Sequence, residues 1–220
     1  MKCSSAYTLD VSQKHSKLSD NFAANDPGRL YLKERVSLHP RNATIADIGC
    51  GDGKDIRTFE EMGFSNITGI EPSDSSRQIA LERASSAVAI KDGFFENIPL
   101  DDNSVDVATA RFSLHYCDDL KRAFNEVARV LKPGGKFYAV ISDPDLDQEE
   151  PRNDDGTISI TLFDEQVKIT YPLHTLDGYI EAAKKAGLTF DIERRYCGLE
   201  ADRSKNGKNN SLCFAAALKR

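Results

Sequence analysis

The chain has 220 residues, 40% of them apolar, with a formal net charge of −6 and a pI near 5.3. That length and apolar content suit one enzyme-sized core, and the acidic balance argues against diffuse attraction to a phosphate backbone. Apolar runs no longer than a strand exclude a bilayer-spanning helix. Cys3, Cys50, Cys117, Cys197 and Cys213, scattered and without a C-x-x-C pair, argue against a disulfide framework or a metal site. The opening Met1-Lys2-Cys3-Ser4-Ser5 has no apolar stretch of signal-peptide type, so a cytoplasmic location is expected. No Pro/Gly/Ser-rich linker interrupts the sequence, and residues 1–220 read as one domain.

In chain order, residues up to about 25 are polar and without periodicity, and 31–38 predict a short helix before His39-Pro40. The apolar Thr44-Ile45-Ala46 predicts a strand and leads into Asp47-Ile48-Gly49-Cys50-Gly51-Asp52-Gly53. Glycines at alternate positions allow a sharp turn and bring backbone N–H groups against a ligand, which a side chain at any of them would obstruct. Residues 54–62 predict a helix with Ile56, Phe59 and Met62 on one face and Gly63 as its stop. The loop therefore precedes a helix N-terminus, where backbone donors and the dipole hold a polar, partly anionic small molecule. Residues 67–70 read as a short buried strand ending in Glu71-Pro72, 18 residues after Gly53. A carboxylate at the carboxyl end of the second strand of a βαβ unit can accept from both hydroxyls of a ribose.

A third strand, 87–90, leads into Lys91-Asp92-Gly93-Phe94-Phe95, and a fourth, 104–110, continues as Arg111-Phe112-Ser113-Leu114-His115-Tyr116. Leu120, Ala123, Phe124, Val127 and Leu131 mark a helix, with Asp118-Asp119 as caps and Pro133-Gly134-Gly135 as terminator. Strand five follows at 136–141. Beyond it, an acidic stretch runs from Asp143-Pro144-Asp145 to Gly156, and 157–162 and 165–171 read as a hairpin flanking Phe163-Asp164. Thr175 caps a helix with Leu176, Tyr179, Ile180 and Ala183 inward and Gly187 as its stop; 190–196 and 212–218 are the closing strands. The basic run 203–210 reads as a solvated turn between them rather than a nucleic-acid contact.

Glycine spacing separates two cofactor classes. A G-x-G-x-x-G pattern started at Gly49 needs a glycine at 54, where this chain has Lys54, which opposes a dinucleotide oxidoreductase. The pattern is D-x-G-x-G-x-G. With Glu71 and the stretch Asn125-Glu126-Val127-Ala128-Arg129-Val130-Leu131-Lys132-Pro133-Gly134-Gly135, it resembles the class I S-adenosylmethionine-dependent methyltransferases, of the small-molecule, type-11-like kind, over roughly 44–141. The resemblance implies an α/β fold with a doubly wound, mostly parallel seven-stranded Rossmann-like sheet, an antiparallel last strand and a β-hairpin insertion after strand five. It divides the chain into an N-terminal lid segment (1–40), a cofactor-binding core (41–142), a substrate-side insertion (143–175) and a C-terminal helix and strands (176–220).

The same resemblance implies S-adenosyl-L-methionine as cofactor and S-adenosyl-L-homocysteine as product. Asp47, Gly49, Cys50, Gly51 and Gly53 would form the cradle, and Glu71 with Pro72 the ribose site. Asp92, Gly93 and Phe94 would flank the adenine. Counting back from Ile98-Pro99 gives the edge-reading place to Phe94, whereas Asp92 takes it with a longer loop; of Phe94 and Phe95, one is expected in the core. The backbone of Ala110 and Arg111 would border the methionine moiety, the Arg111 guanidinium turned away from the sulfonium. His115 is the nearest candidate general base, ahead of His174 and Asp143. The expected reaction is in-line methyl displacement onto a nitrogen or oxygen, less readily a carbon, of a small-molecule acceptor, without nucleic-acid or membrane partners. Two alternatives stand beside it: a non-catalytic sensor or partner subunit binding the same cofactor, and a protein or RNA methyltransferase. The chain carries no signal for its oligomeric state.

Overall fold

A computed structural model of the chain describes residues 13, 16, 17, 26–147, 151–162, 167–197 and 211–219. Most of the N-terminal polar segment, Phe163-Asp164 and the basic run 203–210 lie outside the described residues. Helix α1 (Pro27–Ser37) starts earlier than apolar periodicity predicts, because the Asp26-Pro27 pair sets its boundary. Asp26 accepts from the Arg29 N–H at 2.8 Å, and proline occupies a position where a backbone donor would be idle.

The remaining elements follow in order. They are β1 (Ile45–Ile48), α2 (Lys54–Glu61), β2 (Ile67–Ile70), α3 (Asp74–Arg83), β3 (Ala89–Lys91), β4 (Val105–Arg111), α4 (Leu120–Val130), β5 (Leu131–Ser142) and the short α5 (Pro144–Asp147), then β6 (Ile158–Leu162), β7 (Val167–Tyr171), α6 (Leu176–Lys185), β8 (Leu188–Cys197) and β9 (Ser211–Lys219). A 3₁₀ turn, Leu114–Tyr116, links β4 to α4.

Seven strands form one sheet in the order β3-β2-β1-β4-β5-β9-β8. β1 runs parallel to both β2 and β4, while β9 is antiparallel to β5 and β8, as the resemblance implies. The chain winds outward from β1 to β3, then returns to the other side of β1 with β4. Order therefore reverses between β1 and β4, and the loops after β1, β2 and β4 meet at that crevice. β6 and β7 pair antiparallel as a separate ribbon, with Ile158 opposite Tyr171.

Both faces of the sheet are covered, which is why its central strands read as continuous apolar runs. On one face Phe124 and Val127 of α4 pack with Phe137, Tyr179 and Phe190; on the other, Tyr31, Leu32 and Val36 of α1 pack with Ile56 and Phe59 of α2. Two expectations need correction. Ile180 is exposed, and Ala182 takes its inward place beside Tyr179 and Ala183, since α6 meets α4 through small residues. α4 stops at Val130, one residue early, and Leu131 already pairs with Val105, so β5 starts ahead of the Pro133-Gly134-Gly135 bend. Asn103 and Ser104 take the carbonyls that Arg129 and Val130 leave open at that helix end.

Candidate functional site

At the end of β1 the backbone turns through left-handed conformations at Gly49, Gly51 and Gly53, with φ of 72°, 55° and 78°. The three glycines are needed for different reasons. A Cβ on Gly49 would lie 2.3 Å from the Cβ of Ser113, and one on Gly53 would lie 3.1 Å from Ala80 of α3. Around Gly51 a Cβ would meet nothing within 4 Å. Protein packing thus accounts for the outer two, and the middle one borders open space. Gly53 also begins α2 without a side-chain cap, which leaves the donors of the first helical turn to other partners. Cys50 contributes backbone only, because its thiol is buried in the core cluster beneath α2. Lys54 is buried too; its ammonium donates to the Ser16 carbonyl at 2.5 Å and pairs with Asp52 at 3.2 Å.

Glu71 stands at the end of β2, only 9% exposed. Its Oε2 accepts from the Gly51 N–H at 2.9 Å and its Oε1 from the Ser73 N–H at 3.0 Å, so one carboxylate ties the glycine loop to the cap of α3. Burial raises its pKa, and the two backbone donors oppose that rise. Each carboxylate oxygen can accept a second bond, so the group retains capacity for a vicinal diol. Pro72 is half-buried next to it.

Asp47 is buried at the end of β1 and accepts from the Thr109 hydroxyl at 2.8 Å. Burial, reinforced by Asp55, pushes its pKa up to about 7 against the pull of Thr109 and Arg111. At the tip of β4, Ala110 is fully buried, and the Arg111 guanidinium turns away from the crevice to Asp55 at 2.6 Å and Asp26 at 3.1 Å. Arg29 of α1 bonds the other oxygen of Asp55 at 2.7 Å. Asp55, in the first turn of α2, therefore sits between two arginines that hold its carboxyl below the usual range against the opposing effect of burial. Sequence reasoning missed Asp55, Thr109, Ser73 and Ser113. An acid in the first turn of an uncapped helix was the available signal for Asp55, since the dipole favours it there.

Around the third strand, Asp92 is largely exposed and paired with Arg77 at 3.2 Å. Gly93 is buried, and a Cβ on it would lie 2.6 Å from Pro99. Phe95 enters the core edge-on to Phe137, while Phe94 stays half-buried, its N–H donating to Asn97 at 3.3 Å. One of the two phenylalanines is thus core and the other is left beside the loop, as expected.

Past β4, Phe112 adopts a left-handed φ of 56°, a strained conformation for a bulky residue. Ser113 Oγ then donates to the Ile48 carbonyl at 2.7 Å, fastening this segment to the glycine loop. His115 follows in the 3₁₀ turn, 4% exposed, its Nδ1 without a hydrogen-bond partner. Its ring lies 4.1 Å from that of Tyr116 and 5.0 Å from that of Tyr171 at the end of β7. Burial, with His174 nearby, pushes its pKa down to about 3. The weaker candidates are otherwise engaged: His174 Nε2 donates to the Cys117 carbonyl at 2.8 Å, and Asp143 accepts from Arg195 of β8 at 3.2 Å. Among the described residues no group of side chains is arranged to hold a metal ion, and no helix is long and apolar enough to cross a membrane.

Comparison with known proteins finds similarity to methyltransferases. Residues 46–139 match the family model described as a methyltransferase domain. The chain is 32% identical over 126 residues to a sterol 4-C-methyltransferase from Caenorhabditis elegans, covering 54% of this chain and 37% of that protein. It is 28% identical over 144 residues to a demethylmenaquinone methyltransferase from Staphylococcus epidermidis, covering 62% and 59%. The chain spans about two fifths of the length of the curated relatives at the head of the comparison, from 37% to 44%. In fold, it is similar to an S-adenosylmethionine-dependent methyltransferase from Mesorhizobium loti, with a TM-score of 0.64 at 21% identity over 84% of this chain and 95% of that one.

Proposed function

We propose that the chain, whose residues 46–139 match the methyltransferase-domain family model, is an S-adenosyl-L-methionine-dependent methyltransferase acting in the cytoplasm on a nitrogen or oxygen, less readily a carbon, of a small-molecule acceptor. The observation that carries this reading is the pairing of Gly51 with Glu71. A glycine bordering open space at the switch point is bound through its N–H to a buried carboxylate at the end of the next strand. That pairing supports the reading, because an adenosyl group needs the loop and the carboxylate held together.

The residues fit the cofactor. Glu71, beside Pro72, would take the ribose hydroxyls; Asp92, Gly93 and Phe94 would border the adenine; and Asp47, Gly49, Cys50, Gly51 and Gly53 would line the carboxyl end of β1, with the backbone of Ala110 and Arg111 opposite. When bound, the cofactor supplies a methyl group on an electrophilic sulfonium. What the chain adds is alignment and exclusion of water. Withdrawal of the Arg111 guanidinium to Asp55 and Asp26 keeps a fixed cation out of the crevice. His115 remains the candidate to take a proton from an acceptor hydroxyl; burial keeps its imidazole in the free-base form, at the cost of making it a weak base. Residues 1–40 as a lid, 41–142 as the cofactor core, 143–175 as the acceptor wall and 176–220 as the closing unit complete the reading as a single domain.

Incubation with methyl-labelled S-adenosyl-L-methionine and a metabolite extract tests it. Transfer of label to small molecules is expected. Label confined to protein or RNA would overturn the choice of acceptor, and saturable binding without transfer to any fraction would make the chain a sensor.

A further inference from the structure

Arg77, one turn into α3, is a largely buried arginine, with 16% of its side chain exposed. Its Nη1 donates to the Glu71 carbonyl at 2.7 Å and to Asp92 Oδ1 at 3.2 Å, while Nη2 pairs with Asp74 of its own helix. One guanidinium thus joins the end of β2 to the segment leaving β3, the two places that the cofactor reading gives to ribose and adenine. The Glu71 N–H donates to the Lys91 carbonyl at 3.0 Å, so the β2–β3 ladder reaches this level and Arg77 takes up the carbonyl of the same residue. Its charge also acts on the Glu71 carboxyl, lowering the pKa that burial raises.

The two candidates for the base edge are unequal. Phe94 donates its N–H to the Asn97 carbonyl at 3.3 Å and accepts from the Asn97 N–H at 2.9 Å, which commits its backbone to a tight turn. Next to it, Gly93 is packed so closely that a Cβ would lie 2.6 Å from Pro99 and 2.9 Å from Ile70. Asp92 differs on both counts. Its side chain is 75% exposed, and among the described residues only its Oδ1 is engaged, so Oδ2 keeps its accepting capacity. An exposed ion pair contributes little stability. What it supplies is orientation, because the planar guanidinium is itself anchored by burial, by the Glu71 carbonyl and by Asp74.

We propose that Arg77 is a positioning residue for base specificity: anchored on the Glu71 carbonyl, it holds the Asp92 carboxylate to accept from the amino group of adenine. This rests on the S-adenosyl-L-methionine reading and deepens it. Adenine offers an N–H donor at that edge, whereas hypoxanthine offers a carbonyl oxygen, which a carboxylate repels. Arg77 acts through Asp92.

The test compares S-adenosyl-L-homocysteine with S-inosyl-L-homocysteine, its hypoxanthine counterpart, by calorimetric titration of the whole chain. Wild type is expected to prefer the adenosyl compound by about tenfold or more, the range for a hydrogen bond to a charged group. Arg77→Met should cut that preference to about threefold or less, Arg77→Lys should restore part of it, and Asp92→Ala, at an exposed position, should remove it. In the Asp92→Ala background, Arg77→Met should leave the ratio unmoved, since the carboxylate it positions is gone. A merely structural arginine would weaken both compounds alike. Equal affinity of the wild type for the two compounds, or a wild-type ratio in Arg77→Met or Asp92→Ala, would overturn this proposal alone. Failure of both compounds to bind the wild type would overturn the cofactor reading and this proposal with it.

Discussion

Charge is handled in opposite ways on the two sides of the β4 tip. Toward the glycine loop the protein buries several carboxylates and gives each a partner: Asp55 has two arginines, Glu71 two backbone N–H groups, Asp47 a threonine hydroxyl, and Asp52 both Lys54 and Arg83. Toward the hairpin it buries a histidine among tyrosines with one ring nitrogen unpartnered. The glycine-loop side is thus a region of fixed, paired polar groups. The hairpin side is packed aromatic surface around one covered, unpartnered nitrogen. The two halves should therefore fail differently when altered.

The largest effect is expected at the network behind the glycine loop. Asp55→Ala strands Arg29 and Arg111 in a largely buried setting and should cost about 3–5 kcal/mol of stability, read as a fall in the urea midpoint at unchanged slope. A loss below about 1 kcal/mol would show that the arginines find water or other partners. The glycines themselves should separate next. Gly51→Val, at a left-handed φ but in open space, should leave a folded protein by circular dichroism with S-adenosyl-L-homocysteine binding reduced at least about 100-fold, roughly 3 kcal/mol. Gly49→Ala meets Ser113 and should lower stability by about 1–3 kcal/mol instead. If both variants behave alike, open space at Gly51 is not where a ligand lies.

Glu71→Ala should weaken S-adenosyl-L-homocysteine by about 1.5–3 kcal/mol, the range for hydrogen bonds to a charged group, checked by calorimetry. Unchanged affinity would remove it from the ribose site. The smallest effect concerns pH. Asp47, faced by Asp55, Glu71, Arg111 and Thr109, holds its proton in the folded state up to about pH 7, whereas the unfolded chain releases it near pH 4. The folded state binds more protons in that window, so this group's contribution to stability is present below about pH 4 and is lost as pH rises to 7. Asp47→Asn should therefore gain stability relative to wild type as pH rises across that window, by on the order of 1 kcal/mol or more. A difference that stays flat from pH 4 to 7 would show Asp47 ionised throughout.

Most of the sheet was legible because its central strands are largely apolar runs between polar or glycine-containing loops, and the strand-to-loop junctions at Asp47 and Glu71 carry a motif with a mechanical meaning. Boundaries moved where a local signal outweighed periodicity, as at Asp26-Pro27. Ile180 misled because helical spacing cannot tell a face packed by alanines from one packed by larger residues. The ion-pair network was invisible for a different reason. Arg29, Asp55 and Arg111 lie far apart in sequence, and only the winding of β4 beside β1 brings them together. Arg111 was rightly expected to point away from the crevice, from electrostatics alone, although its destination could not be named. The aromatic cluster on His115 depends on Tyr171, whose place follows from the packing of the hairpin and from no motif.

Calorimetric titration of the whole chain with S-adenosyl-L-homocysteine and, separately, with NAD tests the shared premise most directly. Saturable binding of S-adenosyl-L-homocysteine, lost in Gly51→Val and weakened in Glu71→Ala, with no heat from NAD, is the predicted result. Binding of NAD in its place would contradict the account.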